Sequence, residues 1–164
     1  MTKWAMLLPI LAAAALPTLA QDVGGKDEVA LREVHAGIVD AYNHQDIDRL
    51  TEYLHPEVAY LIPSRPAVEG KDAVRAMYEG VFDRFRQQGR CLYLQARTTE
   101  VVVVANWAWT RGETAVAFAP CGKPPTILLE TPAGSKFVGI YKKENGRWLR
   151  YRQMRNGNSP DMNI

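Results

Sequence analysis

Long hydrophobic runs are scarce in this chain. The one apolar stretch near the N-terminus, Trp4 to Leu16, is shorter than the roughly 20 residues that a helix needs to cross about 30 Å of hydrocarbon. No membrane partner is expected for the mature form. Charge of one sign is scarce too: 20 Lys and Arg stand against 18 Asp and Glu. Such a balance sets up no global field to draw in nucleic acid or an acidic surface. Histidine occurs only at positions 35, 44 and 55. His35 and His44 lie on roughly opposite sides of one predicted helix, at about 100° per residue. No His, Asp or Glu spacing matches a metal motif, so neither a metal nor a cofactor is expected. The glycines form no phosphate loop, and neither Ser64 nor Ser135 sits in a nucleophile motif. Repeats, low-complexity tracts and linkers are also missing.

What is present begins with a leader. Lys3 supplies a positive start, Trp4 to Leu16 an apolar centre, and Thr18-Leu19-Ala20 small residues before Gln21. This is the pattern of a Sec signal peptide cut after Ala20. The expected location is periplasmic or secreted. No Cys follows the cut, which argues against a lipoprotein. Removal of the first 20 residues leaves 144 of 164, one domain's worth, with core enough to need no staples. Domain limits are therefore 1–20 for the leader and 21–164 for a single domain. Two cysteines remain, Cys91 and Cys121, and an oxidising compartment permits a disulfide. A hairpin turning near Ala105-Asn106 would set the two nearly opposite each other, so the pair is expected to be bridged and to tie down the loop from Pro120 to Pro125.

Periodicity orders the rest. Leu31, Val34, Ile38, Ala41 and Tyr42 form a helical stripe over about Asp27 to His44. Asp46 caps a second helix that buries Leu50, Tyr53 and Leu54 and stops at Pro56; His55 reads as a polar group at that helix end. Val58 to Ile62 reads as a short strand. Gly70 leads a third helix, about Lys71 to Gln88, ended by Gly89. Leu92 to Val104 and Trp107 to Phe118 are rich in β-branched and aromatic residues. Ile127 to Glu130 and Lys136 to Lys143 read as strand pieces around Thr131 to Gly134. Asn145-Gly146 reads as a hairpin turn before a last strand, Arg147 to Asn156. Gln21 to Lys26 and Asn158 to Ile164 read as loose tails. Helices followed by an antiparallel meander make an α+β fold.

Several segments carry a resemblance in this order. They are Asp46-Ile47-Asp48, Val58-Ala59-Tyr60, Glu69 to Val74, Asn106 to Gly112, Asn145 to Trp148 and Arg152 to Asn156. Together they resemble the NTF2-like superfamily, and within it the SnoaL-like and DUF4440 branch. The resemblance implies a cone of three N-terminal helices on a curved, mostly antiparallel sheet. It also implies an internal small-molecule pocket and a homodimer through the sheet. The superfamily includes ketosteroid isomerases, but the fold does not give the function. Isomerase chemistry needs a tyrosine, a base and a second acid. Here those positions fall on Ile38, Ile62 and Val138, all apolar. The branch's last-strand aspartate is replaced by Gln153.

The last strand carries Arg147, Arg150, Arg152 and Arg155. Alternation groups Trp148, Arg150, Arg152, Met154 and Asn156 on one face, and Leu149, Tyr151, Gln153 and Arg155 on the other. Which face is concave stays open. An inward Arg150 or Arg152 needs a carboxylate from Glu130, Glu100 or a ligand. Tyr42, Tyr60, Tyr78, Trp107 and Trp109 are the aromatic candidates for a pocket wall; the resemblance makes Tyr60 the first choice. The candidate ligand-binding set is Tyr60, Tyr42, Trp109, Arg152, Gln153 and Asn156. Three functions stay open: an exported protein binding a small apolar or acidic molecule; a SnoaL-like isomerase, hydrolase or cyclase using Tyr60, Arg152 or Gln153; and a dimeric interaction protein with a vestigial pocket. The missing acids favour the first and third.

Overall fold

The structure is a computed structural model that describes residues 20–126 and 134–158, with side chains of the first helix described from Gly25 onward. Three helices cover one face of a six-stranded sheet of order β2-β1-β6-β5-β4-β3, with β1 and β2 falling between the second and third helices in the chain. The helices are α1 (Ala20–His44), α2 (Ile47–Glu52) and α3 (Lys71–Arg86). The strands are β1 (Leu54–Leu61), β2 (Val68–Glu69), β3 (Arg90–Val104), β4 (Trp107–Pro120), β5 (Ser135–Glu144) and β6 (Arg147–Gly157). Only β1 and β6 run parallel; the other pairings are antiparallel. This is the α+β cone that the element order implies.

Local chemistry explains the breaks. The Asp46 carboxylate accepts from the Arg49 amide at 3.0 Å and so caps α2. Asn145 and Gly146 both have positive φ (50° and 77°), which lets β5 and β6 join through a two-residue turn. Three boundaries differ from expectation. The segment Gln21 to Lys26 is helical rather than a loose tail, because α1 starts at Ala20. Helix α2 stops at Glu52, and Pro56 lies inside β1. Pro56 is tolerated there because the β1–β6 register slips between Leu54 and Ala59, where the ladder needs no donor. His55 is accordingly a strand residue, its Nδ1 accepting from the Glu57 amide at 3.0 Å. The strand piece Ile127 to Glu130 and most of the following turn lie outside the described residues, as do residues 1–19 of the leader and the last six residues.

The β3–β4 hairpin turns at Ala105-Asn106 as predicted, and a bulge at Thr99 shifts its register by one residue. Cys91 then sits opposite Ala119 and is bridged to Cys121 just beyond the strand. Helix α1 guards the free edge of β3. The Asn43 side chain donates to the Leu94 carbonyl at 2.9 Å and accepts from its amide at 2.7 Å, satisfying backbone groups that an edge leaves open.

Two apolar clusters hold the helices to the sheet. Ala41, Leu50, Leu54, Val58, Tyr60 and Val74 form one; Leu31, Ala108, Tyr141 and Trp148 form the other. Leu31 and Leu50 are fully buried, each contributing about 2 kcal/mol by burial. Two turns into α1, Asp27 accepts from Lys143 Nζ at 2.6 Å and from the Trp148 indole at 2.9 Å. These contacts latch the helix to β5 and β6, and the lysine's hydrogen bond holds the Asp27 pKa below its ordinary value.

Candidate functional site

The inner face of the sheet is set by a second bulge. Between Tyr141↔Arg150 and Ile140↔Arg152 the β5–β6 register shifts, leaving Tyr151 as an extra residue. One extra residue inverts a period of two. Trp148 and Arg150 therefore face the helices before the bulge, and Gln153 and Arg155 do so after it. Arg152, Met154 and Asn156 turn to the outer face. Neither of the two alternating sets expected for this strand survives intact.

Arg150 is the centre of the inner face. It is 4% exposed, although it is the most polar side chain type available. Its Nη2 donates to the Tyr141 hydroxyl at 2.9 Å and its Nη1 to the Tyr60 hydroxyl at 3.4 Å. Its Nε has no partner among the described residues. Among those residues no carboxylate pairs with it: Glu100 pairs with Arg111 on the outer face, and Glu130 lies outside the described residues. A guanidinium stays charged at any ordinary pH, so a full positive charge rests among neutral groups.

Those groups are aromatic and hydroxylic. Tyr60 meets Tyr78 edge-on at 5.8 Å, and Tyr42 meets Tyr78 at 5.9 Å and Phe82 at 5.0 Å. Burial pushes the Tyr42 phenol up to about 12, against the opposing charge of Arg155. Burial, reinforced by Tyr60, also raises Tyr78 well above the usual phenol value. Both stay neutral and can donate. His35 packs on Phe137 at 4.9 Å and bonds Thr98 Oγ1 through Nδ1 at 2.5 Å. Burial first, and the charge of Arg150 second, lower its pKa to about 3, so it stays neutral and is a weak base. The buried Thr110 Oγ1 and Gln153 Oε1 likewise have no partner among the described residues. They converge over Gly139, where an added Cβ would lie 3.2 Å from Thr110 Oγ1, 3.5 Å from Gln153 Oε1 and 3.0 Å from the Tyr141 ring.

Of the predicted site residues, the structure brings Tyr60, Tyr42 and Gln153 together on the inner face, with Tyr78. It does not bring Trp109, Arg152 or Asn156 there. Trp109 faces outward between Val102 and Ile140. Arg152 lies 3.7 Å from the Tyr151 ring and donates to the Glu57 and Tyr151 carbonyls at 2.8 Å. Asn156 lines a groove of about 440 Å³ with Arg111, Lys136, Val138 and Met154. That groove is open and its charges are largely matched: Arg111 pairs with Glu100, and Glu113 with Arg97. Val138 is 41% exposed and outward. The inward neighbours of that isomerase position are Phe137 and Gly139, which are equally without an acid. Thr110 and Tyr141 are members that sequence reasoning did not single out, and it weighed His35 only as a metal ligand. The alternation of Phe137, Gly139 and Tyr141 was the signal available for Tyr141.

This arrangement can hold and polarise an oxygen-rich group, but it offers no strong base. Residues 36–151 match the family model of the SnoaL-like domain. The chain belongs to that family, within the NTF2-like superfamily. Solved structures agree with the SnoaL-like fold. A conserved protein from Planctomyces limnophilus is 22% identical, with a TM-score of 0.63 over 79% of this chain and 94% of that one. A ketosteroid isomerase-like protein from Erwinia carotovora atroseptica is 21% identical, with a TM-score of 0.61 over 80% and 96%. An NTF2-like protein with a cystatin-like fold from Novosphingobium aromaticivorans is 17% identical, with a TM-score of 0.65 over 84% and 85%. No curated protein matches the SnoaL-like chain.

Proposed function

We propose that this SnoaL-like domain is an exported protein that binds a small molecule inside its cone and works without steroid-isomerase chemistry. The observation that carries this reading is the inner face itself. Buried polar atoms with unused bonding capacity, on Arg150, Thr110 and Gln153, sit beside an aromatic wall of Tyr42, Tyr60, Tyr78 and Phe82. Ligand sites combine such walls with a few convergent polar groups. The proton-transfer positions are apolar: Ile38 is 3% exposed in the core, and Ile62 packs against the Tyr60 cluster.

Export is supported by the leader pattern of residues 1–20 and by the Cys91–Cys121 bridge, which suits an oxidising compartment. A homodimer through the sheet is supported by the apolar outer face. Leu61, Met154, Val138 and Ile140 are each more than a third exposed on neighbouring strands, a patch of the kind that marks an interface.

The test is native mass spectrometry of the protein purified from its own export pathway. A polypeptide starting at Gln21, with a co-purifying small molecule lost on Tyr60→Phe, is the expected result. A clean, ligand-free dimer would contradict ligand binding and move the function to the outer face.

A further inference from the structure

Resting on that reading of the cone as a ligand site, we propose that Arg150 is a carboxylate receptor and that the ligand is a small monocarboxylate with an apolar or aromatic body. An ion buried without a counter-charge costs several kcal/mol even after relaxation, and Arg150 is 4% exposed with only phenols as partners. Two of its donors are used, one of them at a long 3.4 Å, and Nε has no partner among the described residues. A planar guanidinium with open donors matches the two oxygens of a carboxylate. Arg150 is the fully buried cation of the inner face and the half-buried Arg155 is the next along the strand, and a single flat carboxylate can be met by Arg150 alone. Thr110 Oγ1 and Gln153 Oε1 converge over Gly139, and they offer a donor and an acceptor to a further polar atom of the ligand. Phe137 and the tyrosines supply the apolar wall.

The other source of a carboxylate is the chain's own Glu130, outside the described residues, and the experiment separates the two. Isothermal titration of the mature protein uses benzoate and its neutral isostere benzamide as probes, on wild type, Arg150→Met, Arg150→Lys and Glu130→Gln, each variant also being melted without probe. The expected result is benzoate binding about thirtyfold tighter than benzamide, the low end of what neutralising one partner of a buried charge pair costs. Arg150→Met loses that preference, Arg150→Lys keeps it at weaker affinity, and Glu130→Gln leaves it intact. Arg150→Met without probe melts no lower than wild type, because it removes an uncompensated charge. A large fall in melting temperature for both Arg150→Met and Glu130→Gln, or an Arg150→Met that fails to fold while Glu130→Gln is crippled, overturns the proposal: Arg150 is then paired within the chain. Equal binding of both probes overturns the carboxylate preference but leaves the pocket standing. Binding of neither, with no co-purified molecule, removes both.

Discussion

On the outer face of the sheet, arginines meet acids or solvent. Arg111 pairs with Glu100, Arg97 with Glu113, and Arg152 spreads over the Tyr151 ring with its Nη1 on two backbone carbonyls. On the inner face, two residues away along the same strand, Arg150 is buried against phenols with no described carboxylate. Surface pairs of the first kind contribute at most about 1 kcal/mol each. The second kind is a liability unless something compensates it. The contrast teaches that the number of arginines on β6 carries little meaning, and that their side of the sheet carries nearly all of it.

Four perturbations break or sharpen this contrast. The largest stability effect is expected at the sheet's bridged end. Replacing Cys91 and Cys121 with Ala opens a loop with a sequence separation of 30. That costs about 3 to 4 kcal/mol on loop entropy, read by urea unfolding. A smaller loss would mean that β3 and β4 already hold the loop without the bridge. Next, Gly139→Val puts methyls where Thr110 Oγ1 and Gln153 Oε1 converge. Overpacking there costs about 1 to 3 kcal/mol and removes ligand from the native mass spectrum. Retained ligand would place the site on the outer face.

The third concerns pH. The Asp27 carboxyl is held below its ordinary 3.8 by Lys143 and Trp148. A depressed carboxyl gives stability that is fully present above the unfolded value and is lost as pH falls through the folded one. Wild type should lose this part of its stability as pH drops below about 4, and Asp27→Asn should remove about 1 to 2 kcal/mol at neutral pH while flattening that acid limb. An unchanged limb would show that the latch does not form. The smallest effect on folding is expected from Val138→Glu on the outer face, within about 0.5 kcal/mol. Sedimentation should nonetheless show monomer, because the exposed apolar patch is broken. A dimer that survives would have to use another surface.

Much of the fold was legible because local chemistry fixes it. The 3.6-residue stripe of α1, the Asp46 cap, the Asn145-Gly146 turn and the near-opposite placement of Cys91 and Cys121 all depend on neighbours in sequence or on one hairpin. The site was legible only in part. The tyrosines were named and do gather, yet the bulge at Tyr151 that turns Arg150 and Gln153 inward and Arg152 outward leaves no mark in the chain. It lies where β6 pairs with both β5 and the parallel strand β1, a juxtaposition that only the assembled sheet makes. Pro56 shows the same limit. Read locally it ends a helix, but a slipped register gives it a place inside β1.

The most direct measurement is a two-dimensional ¹H–¹⁵N spectrum titrated with benzoate, following the arginine Nε and tryptophan indole signals. Arg150 Nε, which has no described acceptor, should move to saturation while outward Trp107 and Trp109 stay fixed. Movement of Trp107 and Trp109 with Arg150 unchanged would place the ligand on the outer face and contradict the account.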